Sequence, residues 1–144
     1  VIGLSGKRSI PVEELYLWSG LTKIGGDGVI EAIEIPLVPD TTVAFEKFGL
    51  RQGDFAEASV AVQAQWADDV VSALHIYAGA VSPLPLRARK AEALLTGTRL
   101  EPDAVAEAAA TIVEGSLPLD DNQYKVPLLI NLTKQALLAA SRRN

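Results

Sequence analysis

The alternating stretch from Ala56 to Trp66 most constrains what this chain can fold into. Its even-numbered residues are all small or apolar, whereas its odd-numbered residues include Glu57, Ser59 and Gln63. Successive side chains of a strand point to opposite faces, so this period of two predicts a strand with one buried face. A short turn at 67–69 leads into a second apolar run at 70–81. Two strands joined so briefly form an antiparallel hairpin.

The segments on either side of the hairpin complete the fold prediction. Residues 43–50 predict one more strand before it. After two prolines, at 83 and 85, apolar residues recur at helical spacing in three segments, 85–97, 101–115 and 120–143. Strands followed by helices are typical of α+β folds. We therefore expect a three-stranded antiparallel sheet followed by three helices packed on one of its faces.

The first 40 residues differ in character from the rest of the chain. Glycine and proline interrupt them, one helical turn is predicted near residues 9–18, and the run VIEAIEIPL at 29–37 predicts a strand. The chain starts at Val1 and contains no Met. We therefore expect residues 1–40 to be the tail of a preceding domain and residues 41–144 to be a domain of their own.

Composition excludes several classes of function. A net charge of −5 with no basic block argues against nucleic acid as a partner, because phosphate binding needs clustered Lys and Arg. The absence of Cys excludes disulfides, thiolate-held iron–sulfur clusters and Cys-ligated zinc. The single histidine, His75, makes a His-based metal site or a catalytic triad improbable. No apolar run reaches the roughly 18 residues of a membrane span, and we expect a cytoplasmic protein.

A charged cluster lies where the alternating strand begins. Lys47, Arg51 and Asp54 fall within eight positions of one another. A surface turn is one interpretation, and a site for an anionic or electron-rich ligand is the other, since a lysine can donate to a flavin carbonyl or a phosphate. The loop at 78–87 is a second candidate, because loops that join a sheet to helices often border sites. The GGDG run at 25–28 lacks the following helix that a phosphate loop needs.

Three segments together resemble a known family. They read EKFGLRQGDFAEASVAV, YAGAVSPLPLRARKAEALLTG and LPLDDNQYKVPLLINLTKQAL. Their order and spacing are similar to the C-terminal domain of the FAD-carrying medium subunits of molybdenum hydroxylases, which include carbon monoxide dehydrogenase, xanthine dehydrogenase and 4-hydroxybenzoyl-CoA reductase. The matching positions are Lys47, Arg51, Asp54, Phe55, Ala56, Gly79, Pro85, Arg87, Ala91, Glu92, Leu95 and Gly97. Residues 1–40 resemble the end of the family's FAD-binding domain, although Gly28 stands where an acidic residue is usual.

The resemblance implies four cofactor-binding residues and no catalytic or metal-ligating ones. Ile24 matches an aliphatic position that packs against the isoalloxazine ring, and Lys47 matches a lysine that approaches the flavin. Tyr77 and Arg87 flank the loop that borders the flavin's electron-acceptor side. The residues themselves leave the plainer alternatives open: Ile24 can be a core residue and Lys47 a solvated charge.

The resemblance also implies the wider assembly. The protein would be part of an FAD-dependent oxidoreductase subunit that passes electrons from iron–sulfur clusters to an external acceptor. The molybdenum cofactor would lie on a large partner subunit and the iron–sulfur clusters on a small one. The family's two glycine-rich FAD loops have no counterpart in these 144 residues. The FAD site is therefore expected to be incomplete here, and the isolated chain to be inactive.

Two rival interpretations remain at the level of sequence. The chain could be a structural, subunit-docking module that binds no cofactor by itself. Its docking surface would then be the alanine-rich face formed by Ala104, Ala106, Ala108, Ala109 and Ala110. An unrelated small α+β enzyme is the third possibility, but it would need a nucleophile or metal set that the sequence does not display.

Overall fold

The structure is a computed structural model that describes residues 1–142. The chain separates into two compact units, of which the first is Val1–Leu37 and the second begins at Val38. The assignment of the first unit to the tail of an FAD-binding domain stays a prediction.

The first unit contains only short elements. They are β1 (Ile2–Gly3), β2 (Gly6–Lys7), α1 (Val12–Leu15), β3 (Tyr16–Trp18) and β4 (Leu21–Thr22), with β1 paired to β2 and β3 to β4. The strand predicted over 29–37 is wrong. Within the described residues only Val29 forms a bridge there, exchanging main-chain hydrogen bonds of 2.9 and 2.8 Å with Ile2. The alternating pattern finds no strand to pair with, and Pro36 has no N–H to donate.

A four-stranded antiparallel sheet forms the centre of the second unit. Its strands are β5 (Thr41–Phe48), β6 (Ala58–Ala67), β7 (Val70–Gly79) and β8 (Leu86–Arg87), and they lie in chain order. The even-numbered residues of β6 are buried, as the alternation predicts. The β6–β7 hairpin is likewise confirmed, with a register shift between Gln65 and Trp66.

The fourth strand corrects the prediction of three. Leu86 and Arg87, which the periodicity assigned to a helix, pair instead with Ala78 and Tyr77 of β7. The helix begins only at Arg89. Because an unpaired sheet edge exposes main-chain donors and acceptors, even two residues of pairing protect this side of β7.

The helices cover one face of the sheet, which confirms the α+β prediction. They are α2 (Arg89–Leu95), α3 (Pro102–Ala110) and α4 (Lys125–Ala140). Helix α4 packs against β5 and β6, α2 packs against β7, and α3 packs against both other helices. Pro127 falls in the first turn of α4, where its missing N–H has no intrahelical acceptor to lose. Ile76, Leu95, Val105 and Leu137 meet in the shared core.

Over residues 1–142, no helix combines the length and the apolar character that crossing a bilayer requires.

Candidate functional site

One end of the sheet brings Lys47 and the 78–87 segment together. Lys47 pairs with Ser59 on β6, and Ser59 pairs with Gly79 on β7. Neighbouring strands lie about 4.8 Å apart, so the main chains at Lys47 and Gly79 are separated by about 10 Å. The 49–57 loop and the 80–85 loop both leave the sheet at this end. We call this end of the sheet the loop end.

Main-chain contacts shape the 49–57 loop around Lys47. The Lys47 Nζ donates to the Asp54 carbonyl oxygen at 3.0 Å. The Asp54 amide in turn donates to the Arg51 carbonyl at 3.2 Å, and Gly53 supplies a positive φ of 89°. The three charged residues predicted as a cluster are therefore connected through backbone oxygens, and all three are exposed. The Lys47 ammonium group has three N–H donors, so two of them remain available to another acceptor at the loop end.

Tyr77 and Arg87 lie on the sheet face opposite the helices, one row from Lys47. Tyr77 pairs with Ala61 on one side and Arg87 on the other. The Arg87 Cζ lies 5.8 Å from the centre of the Tyr77 ring, within range of a cation–π contact. Lys47, Tyr77 and Arg87, three of the four predicted site residues, thus share one face and one end of the sheet.

Internal partners already engage the Arg87 guanidinium. Its Nε donates to both carboxylate oxygens of Glu92, at 3.0 and 3.1 Å, and its Nη2 lies 2.7 Å from His75 Nδ1. Because arginine can only donate, His75 Nδ1 is the acceptor of this hydrogen bond. The same Glu92 carboxylate also accepts a hydrogen bond of 2.9 Å from the Ile76 amide. This amide lies along the edge of β7 where the pairing with β8 has ended. Through these contacts within the chain, Arg87 stabilises the edge of the sheet.

The helix-free face also contains a shallow trough. Its walls include Val43, Phe45 and Tyr77, and Ala61 lies between the two aromatic side chains in one row across the sheet. Val43 and Phe45 are 75% and 63% exposed. Large apolar side chains so exposed indicate a surface that meets another molecule or another segment.

Ile24, the fourth predicted residue, belongs to the first unit. It is half-buried, and its carbonyl accepts from Arg8 Nη2 at 2.9 Å. A Cβ on Gly28 would come within 2.5 Å of the Ile24 carbonyl oxygen and 2.6 Å of its Cγ2. No side chain therefore fits against Ile24 at position 28, where the sequence has glycine.

Sequence reasoning missed a polar cluster at the loop end. The Tyr124 hydroxyl donates to Glu57 Oε2 at 2.7 Å, and the Lys125 Nζ lies 3.4 Å from the same oxygen. The hydrogen bonds from Tyr124 and Lys125 hold the pKa of Glu57 below its usual value, and the Glu57 bond raises the pKa of Tyr124. The only signal was a tyrosine–lysine pair where the last helix begins, with a partner carboxylate 67 positions before the tyrosine.

The sequence of residues 43–140 matches the family described as CO dehydrogenase flavoprotein C-terminal domain. The chain belongs to this flavoprotein family. The resemblance drawn from the sequence segments is thereby confirmed.

The chain is also similar to individual proteins. The chain is 31% identical over 146 residues to the carbon monoxide dehydrogenase medium chain of Hydrogenophaga pseudoflava, and the match covers 98% of this chain and 51% of that one. It is 28% identical over 148 residues to the nicotine 6-hydroxylase medium subunit of Paenarthrobacter nicotinovorans, covering 99% of this chain and 52% of the relative. The chain therefore spans about half the length of these curated relatives.

A solved structure agrees with the fold. It is carbon monoxide dehydrogenase from Hydrogenophaga pseudoflava lacking the Mo-pyranopterin moiety of the molybdenum cofactor, and it superposes with a TM-score of 0.88 at 31% identity. The superposition covers 96% of this chain and 50% of that chain.

Proposed function

We propose that this chain forms one side of a flavin site in the FAD-carrying subunit of a molybdenum hydroxylase. One observation carries the proposal: in a member of a flavoprotein family, the strand register brings Lys47 and the 78–87 segment to the same end of one sheet. The medium chains and subunits among the relatives support the oxidoreductase role.

The residues present fit the ring of FAD better than its pyrophosphate. Lys47 offers free N–H bonds at an exposed position beside an aromatic and apolar surface, which suits an electron-rich planar ring. Residues 25–28 form a turn, and no helix follows before β5 within the described residues. They therefore lack the aligned amides that hold a pyrophosphate, and we propose that other polypeptide supplies that grip.

Each predicted residue has a distinct proposed role. Lys47 would donate to a heteroatom of the ring, and Tyr77 would pack against an apolar part of the cofactor. For Ile24, which belongs to the first unit, packing against the isoalloxazine ring stays a prediction. Arg87 would orient Tyr77, since its own donors are largely committed to Glu92 and His75. When bound, the flavin supplies the electron transfer, and the chain's contribution is binding, orientation and exclusion of water.

The partners follow from the same proposal. The molybdenum cofactor would belong to a large subunit and the iron–sulfur clusters to a small subunit of the same assembly. A cytoplasmic location also stays a prediction.

Flavin retention tests the proposal directly. The chain is purified through a tag from its source cells with the polypeptides that accompany it, and the visible flavin absorbance is recorded. We expect a yellow complex whose FAD affinity falls about tenfold to a hundredfold in Lys47→Ala, the loss of one charged hydrogen bond. Lys90→Ala is the matched control, because that lysine pairs with Glu114 on the helix side. A colourless complex that takes up no added FAD would overturn the proposal.

The docking module remains the second candidate function, and the exposed trough residues favour it. The alanine-rich surface first considered for this role is not free, because Ala108 and Ala109 are fully buried in the chain's own core. A docking surface would instead be the trough around Phe45. A complex that retains its partner subunits but never binds flavin would identify this function.

A further inference from the structure

Two adjacent side chains at the start of α4 meet a carboxylate from a distant part of the sequence at the loop end. Glu57 Oε2 accepts from the Tyr124 hydroxyl at 2.7 Å and lies 3.4 Å from the Lys125 Nζ. The same Nζ donates to the Ala80 carbonyl oxygen at 3.4 Å. A single cluster therefore connects the 49–57 loop, the 80–85 loop and the start of α4.

The structure assigns to Glu57, Tyr124 and Lys125 the role of a clamp that holds these two loops at a fixed separation. We call the three residues the clamp. Its consequence for the flavin rests on the proposed function, in which the two loops border the ring.

The clamp is anchored on a rigid element. Lys125 is the first residue of α4, a 16-residue helix. That helix buries Leu129, Leu132 and Leu137 in the core, so its first turn cannot shift without disturbing the packing.

Partial burial distinguishes the clamp from an ordinary surface ion pair. The side chains of Lys125 and Glu57 are 26% and 28% exposed, whereas those of Lys7 and Glu31 are 66% and 42% exposed. Fully exposed pairs contribute little, because water screens them and two long side chains lose freedom. The clamp adds a neutral donor, Tyr124, to a charged one on the same oxygen, which fixes the carboxylate in place.

Backbone geometry at both loops points to the same role. Ala80 has a φ of 62°, a left-handed conformation that a residue with a Cβ adopts at a cost in free energy. Such a residue persists where its surroundings hold it, and Lys125 holds its carbonyl. At the other loop, the Glu57 amide donates to the Phe48 carbonyl at 2.8 Å and closes the loop beside Lys47. Moving Glu57 would therefore move the loop that positions Lys47.

Hydrogen exchange on the 144-residue chain tests the clamp without any flavin. In Tyr124→Phe and Glu57→Gln we expect amides of both loops to exchange about threefold to tenfold faster, which reflects the loss of one hydrogen bond. Asp69→Asn is the matched control, since it removes an exposed pair with Arg99 at the opposite end of the sheet. If the variants accelerate exchange evenly along the chain, or only in one loop, the clamp is overturned.

Flavin measurements on the purified complex test the consequence. Tyr124→Phe and Glu57→Gln should shift the flavin absorbance maxima and weaken FAD binding about threefold or more, whereas Asp69→Asn should do neither. Lower thermal stability with an unchanged spectrum and affinity would show that the residues are merely structural, and would overturn their positioning role. A wild-type complex without flavin would overturn the proposed function, while the exchange result would still decide whether the clamp holds the loops.

Discussion

The charged carboxylate of Glu57 accepts hydrogen bonds that the protonated side chain would accept far less well. The ionisation of Glu57 therefore affects the stability of the folded state. The folded state holds the Glu57 pKa below the usual 4.5, mainly through Tyr124 and then Lys125. A lowered folded pKa means that the folded protein favours the charged form. The stabilisation is therefore complete above 4.5 and is lost as the pH falls through the lower folded pKa.

This residue yields the first prediction. The wild-type chain should be more stable than Glu57→Gln at neutral pH, and the difference should shrink as the pH falls below 4.5. Thermal unfolding midpoints of both proteins across this range provide the measurement. A difference that stays constant from neutral to acidic pH would mean that the charge on Glu57 contributes nothing.

A second prediction concerns Glu92, which is the acceptor for both Arg87 and the Ile76 amide. Glu92→Ala should lower the free energy of unfolding by about 2–4 kcal/mol, because it removes the carboxylate paired with the largely buried Arg87 guanidinium and leaves the buried Ile76 N–H without its acceptor. Glu92→Gln should cost less, since its amide oxygen can still accept from Ile76. Urea unfolding measures both, and Glu107→Ala on the exposed side of α3 is the control. Equal losses for the alanine and glutamine variants would contradict this account.

At the scale of elements, α4 joins the sheet to the other helices. Leu137 on this helix is fully buried, and Leu137→Ala should destabilise the domain by about 2–5 kcal/mol through lost contacts and a residual cavity. Leu117→Ala is the matched control: Leu117 is 93% exposed, and its loss should change stability by no more than about 0.5 kcal/mol. Denaturant midpoints distinguish the two, and a small effect at Leu137 would mean that α4 packs loosely.

The sequence predicted some of the strands and failed to predict others. The β6–β7 hairpin was predictable because the alternation of β6 runs through ten residues and decides which face is buried, and because a short turn joins it to the apolar run of β7. Strand β8 was not, because two residues carry no period and Leu86 also fits the helical spacing that follows. The strand prediction for 29–37 was wrong for the opposite reason. The alternation there is clear, but among the described residues no strand lies beside it to complete a ladder.

Some residues of the candidate site were likewise predictable from the sequence, and others were not. Lys47 and the 78–87 segment were candidates from their own residues and again from the family resemblance, and the strand register brings them to one end of the sheet. The clamp escaped prediction because Glu57 and Tyr124 are 67 positions apart, and only the folded chain brings them into contact. Arg87 and Glu92 were both matched to the family, but their bond to each other depends on β8, which the sequence did not reveal.

At the scale of the whole molecule, the core belongs to the second unit. Every fully buried apolar side chain among the described residues lies between Ala58 and Ala140. A fragment of residues 38–142 should therefore fold cooperatively, with an unfolding free energy within about 1 kcal/mol of that of the whole chain. Urea unfolding followed by circular dichroism checks this, and a non-cooperative fragment would show that residues 1–37 are needed for the core.

The trough on the helix-free face has a practical consequence. Ala61 lies there between Phe45 and Tyr77, exposed and directed away from the core. The chain contains no cysteine, so Ala61→Cys would introduce a unique thiol for an environment-sensitive dye. The emission of that dye would report when another molecule covers this face, and the rate of thiol labelling would show how quickly it is uncovered again.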